Sequence, residues 1–457
     1  MKKLLLPLIC FFSMTIFSQN TENLELLFHW NDETIIGTTA YDNVYNEIWG
    51  LVVNNREFAV IGSTAGTHIF DVTDPENSLQ VQFIPGAAFG PSIIHRDYHD
   101  RNGFLYAVSD EGNSSLQIID IKGLPEMATV VYDSNELIKT SHNIFIDENL
   151  DIMYACNVRS VNSSGSSTSL AIFNIENPLN PIHLLDYEVP GTSYRVHDMW
   201  VKNDTAFLNN GGDGLYVVDF SNIDSPQILG SLTDYPDKGY NHSGWPTSDL
   251  NSYVLADEDW GYDLKVLDIS NLSDINVLST FSSEVDPNSI AHNPLIKGNY
   301  LYVSSYHDGL QVYNISDQQN PYKVASFSTY LLQDHTSYRG AWGVYPFLPS
   351  GNILVSDMQY GLYVLKESGF ETVDQAELKL RKLHIYPNPS KGLIQIQTPS
   401  NEPMLEVYIY NMNAEKVFQN KSSESIQSID LSNLTKGVYL LKGMGKHIVY
   451  HQKIMIR

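Results

Sequence analysis

One pattern, two short strands joined by a turn, occurs seven times between Trp49 and Lys366. The clearest copies are Tyr302–Asn314 and Phe207–Asp219, in which alternating apolar residues flank a turn rich in Gly and Asp. The copies end at Asp71, Asp120, Asn174, Asp219, Asp268, Asn314 and Lys366, at spacings of 49, 54, 45, 49, 46 and 52 residues. A period of this length, with four strands in each unit and no helical stretch between units, predicts an all-β chain folded as a seven-bladed β-propeller.

The last repeat lacks one strand, and a matching segment stands at the other end of the chain. Trp342–Tyr345, Ile353–Ser356 and Leu362–Lys366 supply three strands of this repeat, and no fourth follows. Residues 23–30 have the pattern of an outermost strand but no preceding partners. We therefore predict that residues 23–30 close the seventh blade, because this pairing covers two sheet edges that would otherwise be exposed. The predicted propeller spans residues 23–369.

Charge and the N-terminal segment indicate a protein that works outside the cytoplasm. Residues 376–457 carry 11 Lys and Arg against 6 Asp and Glu, whereas the rest of the chain carries 16 against 47. Because so acidic a body repels nucleic acid and anionic lipid, we predict no nucleic-acid partner. Two lysines and the apolar run Leu4–Phe17 predict a signal peptide at residues 1–19, and no later segment has the length of a transmembrane helix. Cys156 is then the only remaining cysteine, which excludes an intrachain disulfide.

The sequence pattern changes after Gly369, which indicates a second domain. Residues 370–382 are polar and typical of a linker, and residues 383–457 have the short alternating strands of a small immunoglobulin-like β-sandwich. Three segments of this tail resemble the C-terminal sorting domain of type IX secretion cargo: Tyr386–Gly392, Gly437–Lys442 and Lys453–Ile456. The resemblance implies secretion to the extracellular space or the outer-membrane surface, with the type IX secretion machinery as a partner. In that family the tail is usually removed, and the cargo is released or attached to surface lipopolysaccharide.

The repeats resemble those of the LVIVD-repeat proteins, in particular the choice-of-anchor B group. The matching segments are Tyr45–Gly50, Ile61–His68, Phe70–Pro75, Ile94–Asp97 and Ser141–Asn143, together with the recurring Gly-Leu-x-Val strands. The match extends from about residue 23 to residue 366. That group is defined by its repeats and by variable C-terminal anchors. The resemblance therefore implies a fold and a destination but no particular reaction.

Histidine opens the innermost strand in five of the seven repeats. These residues are His95, His142, His197, His242 and His292. Since the innermost strands of a propeller line its central channel, we predict that the five imidazoles meet at one end of that channel. Imidazoles that converge in this way could bind a divalent metal, the one cofactor that the sequence suggests. Alternatively, each imidazole could hydrogen bond to a backbone carbonyl of the neighbouring blade and fix the register between sheets.

The loops between the second and third strands of each repeat are predicted to lie on the same face as the histidines. Ligand-binding candidates in these loops are Asp110, Glu111, Asp213, Asp257, Asp259, Trp260, His307 and Asp308. Exposed aromatic rings beside carboxylates are common in sugar recognition, because the ring stacks on the apolar face of a sugar. Trp200 and Trp342 lie within innermost strands, and we expect them to fill the space between blades.

Two functions are compatible with these features. The first is a secreted or cell-surface module that binds or adheres to an extracellular protein or glycan without catalysis. The second is an extracellular hydrolase or lyase that uses His and Asp groups at the channel mouth, with or without a metal. The sequence contains no nucleophile elbow, His-Glu-x-x-His pair, phosphate loop or dinucleotide fingerprint. We therefore assign no catalytic residue and prefer the binding module.

Overall fold

The computed structural model describes residues 21–147, 149–161, 167–331, 337–368, 383–397, 404–411, 416–421, 426–445 and 449–457. The predicted signal peptide at 1–19 and the predicted linker at 370–382 lie outside the described residues. Within the described ranges the chain is almost entirely β-strand, with one 3₁₀ helix at Pro75–Asn77. The chain divides into two compact units on either side of the Thr372–Val373 bond.

Seven antiparallel sheets make up the first unit, and five of them are built from four consecutive strands. Blade 1 contains Tyr45–Val53, Arg56–Ser63, Gly66–Asp71 and Leu79–Pro85. Blade 2 contains Arg96–Arg101, Phe104–Ser109, Leu116–Asp120 and Thr129–Ser134. Blade 3 contains Ile144–Asp147, Ile152–Val158, Thr168–Asn174 and Ile182–Tyr187. Blade 4 contains Asp198–Lys202, Thr205–Asn209, Leu215–Asp219 and Gln227–Leu232, and blade 5 contains Asn241–Pro246, Ser252–Asp257, Leu264–Asp268 and Asn276–Phe281.

The last two blades also take strands from the start of the described chain. Blade 6 contains Asn293–Lys297, Tyr300–Ser304, Leu310–Asn314 and Tyr322–Phe327, and blade 7 contains Ala341–Tyr345, Ile353–Asp357 and Gly361–Glu367. Leu24–Trp30 pairs antiparallel with the last strand of blade 7. Thr21–Glu22 pairs with the last strand of blade 6, a contact that the sequence did not indicate. We call residues 21–30 the N-terminal clasp, and we label the four strands of every blade A to D from the innermost outwards.

Apolar clusters between the sheets hold the ring together. Each pair of neighbouring blades shares one such cluster. The seventh cluster joins the last blade to the first, with Leu354 and Val364 of blade 7 packed among Tyr45, Ile61 and Phe70 of blade 1. Full burial of one such side chain stabilises the fold by about 1.5–3 kcal/mol. The first unit is therefore a closed β-propeller, as the repeat period predicts.

The second unit consists of two antiparallel sheets. One contains His384–Tyr386, Leu393–Gln397 and Ile426–Asp430, and the other contains Lys416–Lys421, Met404–Tyr410, Gly437–Gly445 and Val449–Ile456. Both sheets contribute to one apolar core, in which Ile394 and Ile396 of the first meet Val407, Ile409 and Leu441 of the second. The unit is thus all-β, and its immunoglobulin-like topology stays a prediction.

Candidate functional site

Aromatic side chains form a circle at the end of the central channel where the A strands begin. We call this circle the imidazole ring, and its members are His95, His142, His197, His242, His292 and Trp342. Neighbouring ring centroids around the circle are 4.8, 4.1, 4.2, 4.4, 4.9 and 5.1 Å apart. The structure therefore brings the five histidines together, and it adds a tryptophan that completes the circle.

Trp342 belongs to this circle, whereas the sequence analysis places it between blades. The interval from His242 to His292 is 50 residues, and the same interval leads from His292 to Trp342. Counting one more interval of 50 residues from His292 would have identified Trp342 as a member of the circle. In blades 5 and 7, the pairing register between strands A and B shifts beside His242 and Trp342, as expected for a β-bulge. Such a bulge allows two successive side chains, for example His242 and Ser243, to face the channel.

Four of the five histidines hydrogen bond through Nδ1 to an acceptor oxygen. The pairs are His95 with Glu111 Oε1 (2.5 Å), His142 with Asp110 Oδ2 (2.9 Å), His242 with the carbonyl of His292 (3.2 Å) and His292 with the carbonyl of Trp342 (2.5 Å). Because carboxylate and carbonyl oxygens only accept, Nδ1 carries the proton in each pair and Nε2 of a neutral ring keeps its lone pair. The hydrogen bonds from His242 and His292 to backbone carbonyls join neighbouring blades. This is the arrangement expected if these histidines fix the register between sheets.

The imidazoles differ in their tendency to take up a proton. Burial, followed by the neighbouring imidazoles, holds the pKa of His197 and His242 well below the usual value. Burial also lowers the pKa of His292 to about 3. Burial acts against the charged form of His142 as well, but the hydrogen bond to Asp110 and the charges of nearby carboxylates together outweigh burial and raise the pKa of His142. The ring therefore contains at least three neutral imidazoles at neutral pH.

Several carboxylates of the B–C loops bind backbone amides of the adjacent D–A loops. The pairs are Glu111 with the amides of Ile94 and His95 (2.9 and 3.0 Å), Asp213 with those of Ser193 and Tyr194 (both 2.6 Å) and Asp259 with that of Tyr240 (2.7 Å). Hydrogen bonds to a charged acceptor are stronger than neutral ones. These carboxylates therefore fix the loops that surround the imidazole ring.

Three of the predicted ligand residues, Asp257, His307 and Asp308, lie inside the protein. Asp257 is 1% exposed and its carboxylate pairs with Lys265 Nζ at 2.7 Å, because strand B of blade 5 extends to this residue instead of ending before it. Asp308 is also buried, and it accepts hydrogen bonds from the hydroxyls of Ser283 and Ser289. Both carboxylates are engaged within the fold and present no surface to an external ligand.

Apolar and aromatic side chains stand exposed on the loops around the ring. They are Phe89 (73% exposed), Ile36 (71%), Val285 (54%), Tyr194 (50%) and Trp260 (37%). The Trp260 ring lies 5.9 Å from that of Tyr338 and 6.0 Å from that of His307, which is itself buried. In the described loops of the opposite face, the exposed large hydrophobic residues are aliphatic: Met127, Leu150, Leu179 and Leu250. We call the exposed residues around the ring the aromatic rim.

A polar layer lies directly below the imidazole ring. Its residues are Glu47, Asp97, Asn143, Asp198, Ser243 and Asn293, and they line a cavity of about 70 Å³. Burial raises the pKa of the Glu47 carboxyl to about 7 and that of Asp198 to about 6. Burial and then the charge of Glu47 also raise the pKa of Asp97. The sequence analysis overlooked this layer, although five of its six members follow a ring residue by one or two positions. Glu47 is the exception, because blade 1 contributes no residue to the ring.

A second circle of aromatic residues fills the channel beyond the polar layer. Its members are Trp49, His99, Phe145, Trp245, Phe347 and Tyr345, with neighbouring centroids 4.5, 5.0, 6.1, 5.7, 5.5 and 5.0 Å apart. Trp200 packs against both Phe145 and Trp245 at 6.4 Å. Most of these residues follow a polar-layer residue by two positions, since alternate residues of a strand face the same side.

Family models match segments of both units. The LVIVD repeat model matches residues 195–234, 256–282 and 290–329, which fall in blades 4 to 6. The model of the secretion system C-terminal sorting domain matches residues 384–457. The chain contains LVIVD repeats and a type IX sorting domain. The resemblances to LVIVD repeats and to the sorting domain are confirmed. Membership of the choice-of-anchor B group stays a prediction.

The sorting domain gives the destination of the LVIVD-repeat protein. It indicates export to the cell surface or the extracellular space and implies interaction with the type IX secretion machinery. Among the described residues, no helix has the length and apolar character needed to cross a membrane. No curated protein matches the chain.

Solved structures similar to this LVIVD-repeat protein include other propellers. The WD40 repeats of RRP9 align over 76% of this chain and 99% of their own, with a TM-score of 0.51 and 9% identity. U3-55K aligns over 76% and 100%, with a TM-score of 0.51 and 10% identity. Identities this low show the fold alone.

A further similar structure is PorZ, described as an essential surface component of the type IX secretion system of Porphyromonas gingivalis. It covers 93% of this chain at a TM-score of 0.47 and 11% identity. The LVIVD-repeat protein spans 61% of the PorZ chain. This similarity is too low to support a conclusion about function.

Glu47 gives the LVIVD-repeat propeller a specific pH dependence. Its carboxyl accepts hydrogen bonds from the Ile48 amide (3.0 Å) and from Asn293 Nδ2 (3.2 Å), and Asp97 and Asp198 share its layer. Because its pKa of about 7 in the folded state lies above the unfolded value, folding favours the protonated form. The free energy of unfolding therefore decreases as the pH rises from about 4.5 through 7.

We expect Glu47→Gln to reduce this pH dependence, because glutamine keeps an acceptor oxygen and carries no charge. At pH 8 the variant should be more stable than the parent by about 1–3 kcal/mol, with a smaller gain at pH 5. Calorimetric melting at both pH values measures the difference. Equal gains at pH 5 and pH 8 would indicate a packing effect and contradict the assignment of the charge.

Proposed function

We propose that this protein acts outside the cell as a non-catalytic binding or adhesion module, and that its ligand binds to the face bearing the imidazole ring. The observation that carries this proposal is the aromatic rim, in which Phe89, Tyr194 and Trp260 are exposed on loops of one face. Exposed aromatic residues of this size are more common at binding surfaces than elsewhere on a protein. Among the described residues, the exposed large hydrophobic loop residues of the opposite face are aliphatic, and the exposed aromatic residue there is Tyr322, at the start of strand D of blade 6.

A glycan suits this rim better than a purely apolar ligand. Asp213 accepts a hydrogen bond from the amide of Tyr194, and Asp259 directly precedes Trp260, so two of the exposed aromatic residues have a carboxylate nearby in the loops. Aromatic faces stack on the apolar faces of sugars, and carboxylates accept hydrogen bonds from sugar hydroxyls. The hydrogen bonds that these carboxylates accept from the loop backbone also reduce the entropy that the rim would lose on binding. A protein ligand is the alternative outcome of the test below.

The hydrolase or lyase alternative has less support. Two of the carboxylates that it would use, Asp257 and Asp308, are buried and engaged with Lys265 and with serine hydroxyls. Asp110 and Glu111 are bound to His142 and His95. General acid–base catalysis needs a group within reach of the substrate, and these carboxylates are already committed to internal partners.

The proposal predicts a rim-dependent affinity for extracellular polysaccharide. We expect the purified full-length chain to bind at least one member of a glycan array, and Trp260→Ala to weaken this binding about 10-fold or more, since loss of one stacked ring costs about 1–3 kcal/mol. Met127→Ala, on the opposite face, is the matched control and should leave the affinity unchanged. Binding to no glycan but to an outer-membrane protein through Trp260 would favour the protein ligand. Equal binding by the Trp260 and Met127 variants would contradict the rim as the binding surface.

A further inference from the structure

Three side chains at the channel mouth face one another across distances longer than a hydrogen bond. They are His197 and His242 of the imidazole ring and Glu258 of the blade 5 B–C loop. Each offers one ligand atom, and these three atoms lie within 4.8 Å of one another. His242 Nε2 is 3.6 Å from Glu258 Oε2, which exceeds the usual limit for a hydrogen bond but is close to the separation of two ligands on one metal ion.

At the contact between His242 and Glu258, an imidazole nitrogen faces a carboxyl oxygen. Nδ1 of His242 donates its proton to the carbonyl of His292, so Nε2 of the neutral ring bears a lone pair and faces the carboxylate. The His242 ring is buried, and the centroids of the His197 and His292 rings lie 4.2 and 4.4 Å from its own. A cation shared by the two groups would stabilise the imidazole lone pair and the ionised carboxyl together.

The third group is also available for coordination. His197 Nδ1 is buried, and within the part of the chain that the structure describes it has no hydrogen-bond partner. A buried nitrogen without a partner is unfavourable, and a bond to a metal ion would satisfy it.

The supporting contacts around this group match those of known metal sites. The carbonyl of His292 orients His242, and the Tyr306 hydroxyl donates to Glu258 Oε1 at 2.5 Å. Hydrogen bonds of this kind fix the tautomer of a ligating histidine and the orientation of a ligating carboxylate.

A second group of similar composition serves as an internal comparison. His95, Asp110 and His142 also have ligand atoms within 4.8 Å of one another. There, however, His142 Nδ1 donates directly to Asp110 at 2.9 Å, and His95 Nδ1 donates to Glu111 at 2.5 Å. These hydrogen bonds already satisfy the imidazole donors and the carboxylate acceptors, so a metal ion would stabilise this group less than the first one.

We propose that His197, His242 and Glu258 bind one divalent transition-metal ion, of which zinc best suits two imidazoles and one carboxylate. Three protein ligands leave a coordination position for water or for an oxygen of an external ligand, as in zinc sites of the open type. The ion would stand at the centre of the face that we propose for ligand binding. The metal site does not depend on the rim ligand, because its three ligands are not rim residues.

The test is metal titration of the full-length chain after removal of bound metal with a chelator. Isothermal titration with Zn²⁺ should give one ion per chain, and Co²⁺ in its place should give visible absorption typical of low coordination with nitrogen ligands. Glu258→Gln should weaken Zn²⁺ binding about 100-fold or more, since loss even of a supporting contact costs about 10- to 100-fold. Asp110→Asn, in the comparison group, should leave the Zn²⁺ affinity within about threefold of the parent.

Several results would overturn the site. One is the absence of Zn²⁺ binding to the parent chain at 100 µM metal. Another is an unchanged affinity in Glu258→Gln, whose near-isosteric side chain preserves the bond to Tyr306 and is expected to fold. A loss of binding in Asp110→Asn with retention in Glu258→Gln would place the ion in the other group.

Discussion

A chain that lacks residues 21–30 is expected to lose at least ~5 kcal/mol of unfolding free energy and to aggregate, because removing even one large buried side chain costs about 2–5 kcal/mol. Within this clasp Leu24 is buried, and the Trp30 ring packs 4.7 Å from Phe70 and 5.4 Å from Tyr45 of blade 1. The deletion also leaves the Gly361–Glu367 strand as an unpaired edge, which promotes association between chains. Calorimetry and light scattering of the purified chain measure both effects.

A shorter deletion separates the two pairings of the clasp. Removing Thr21 and Glu22 alone breaks the contact with Tyr322–Phe327 and leaves Leu24–Trp30 in place. Both deleted residues are exposed, so we expect a change of less than ~1 kcal/mol. A peptide of residues 21–32 added in trans should restore the melting temperature of the longer deletion. If the longer deletion melted like the parent, closure of the ring would have to depend on the apolar clusters alone.

The sequence predicts the propeller well because the repeat period alone specifies which residues are equivalent. Histidines that recur with the blade period occupy equivalent positions on successive A strands, so they meet on one circle. Trp342 continues the same interval, and it was misplaced only because its residue type differs from that of the other five. Thr21–Glu22 is too short to have a readable pattern, and its pairing with blade 6 depends on the tertiary fold.

The details of the candidate site are less readable from sequence. Whether a carboxylate near a B–C loop faces the ring or the interior depends on where strand B ends. In blade 5 the strand ends at Asp257, so Asp257 belongs to the strand and Glu258 to the loop. The first is buried against Lys265, whereas the second faces His242. Hydrogen bonds to carbonyls of a neighbouring blade determine which imidazole nitrogen keeps a lone pair, and no sequence pattern reports them.

Replacing Asp257 with alanine is expected to cost about 3–5 kcal/mol of unfolding free energy, because it leaves the buried ammonium of Lys265 without a counterion. Neither side chain of this pair is exposed, and Asp257 also accepts a hydrogen bond from the Tyr235 hydroxyl at 2.8 Å. Chemical denaturation measures the loss. The exposed pair of His183 and Asp186 supplies the control, since Asp186→Asn should change stability by less than ~0.5 kcal/mol.

A double replacement separates the ion pair from simple packing. Asp257→Leu combined with Lys265→Met puts two apolar side chains in place of the buried charges, and we expect it to be more stable than either single variant. Additive losses in the double variant would mean that the two charges do not interact. Since Asp257 directly precedes Glu258 in the chain, Asp257→Ala should also loosen the loop that carries Glu258 and Trp260. Zn²⁺ affinity and rim-dependent binding should then both decrease, whereas Asp186→Asn should affect neither.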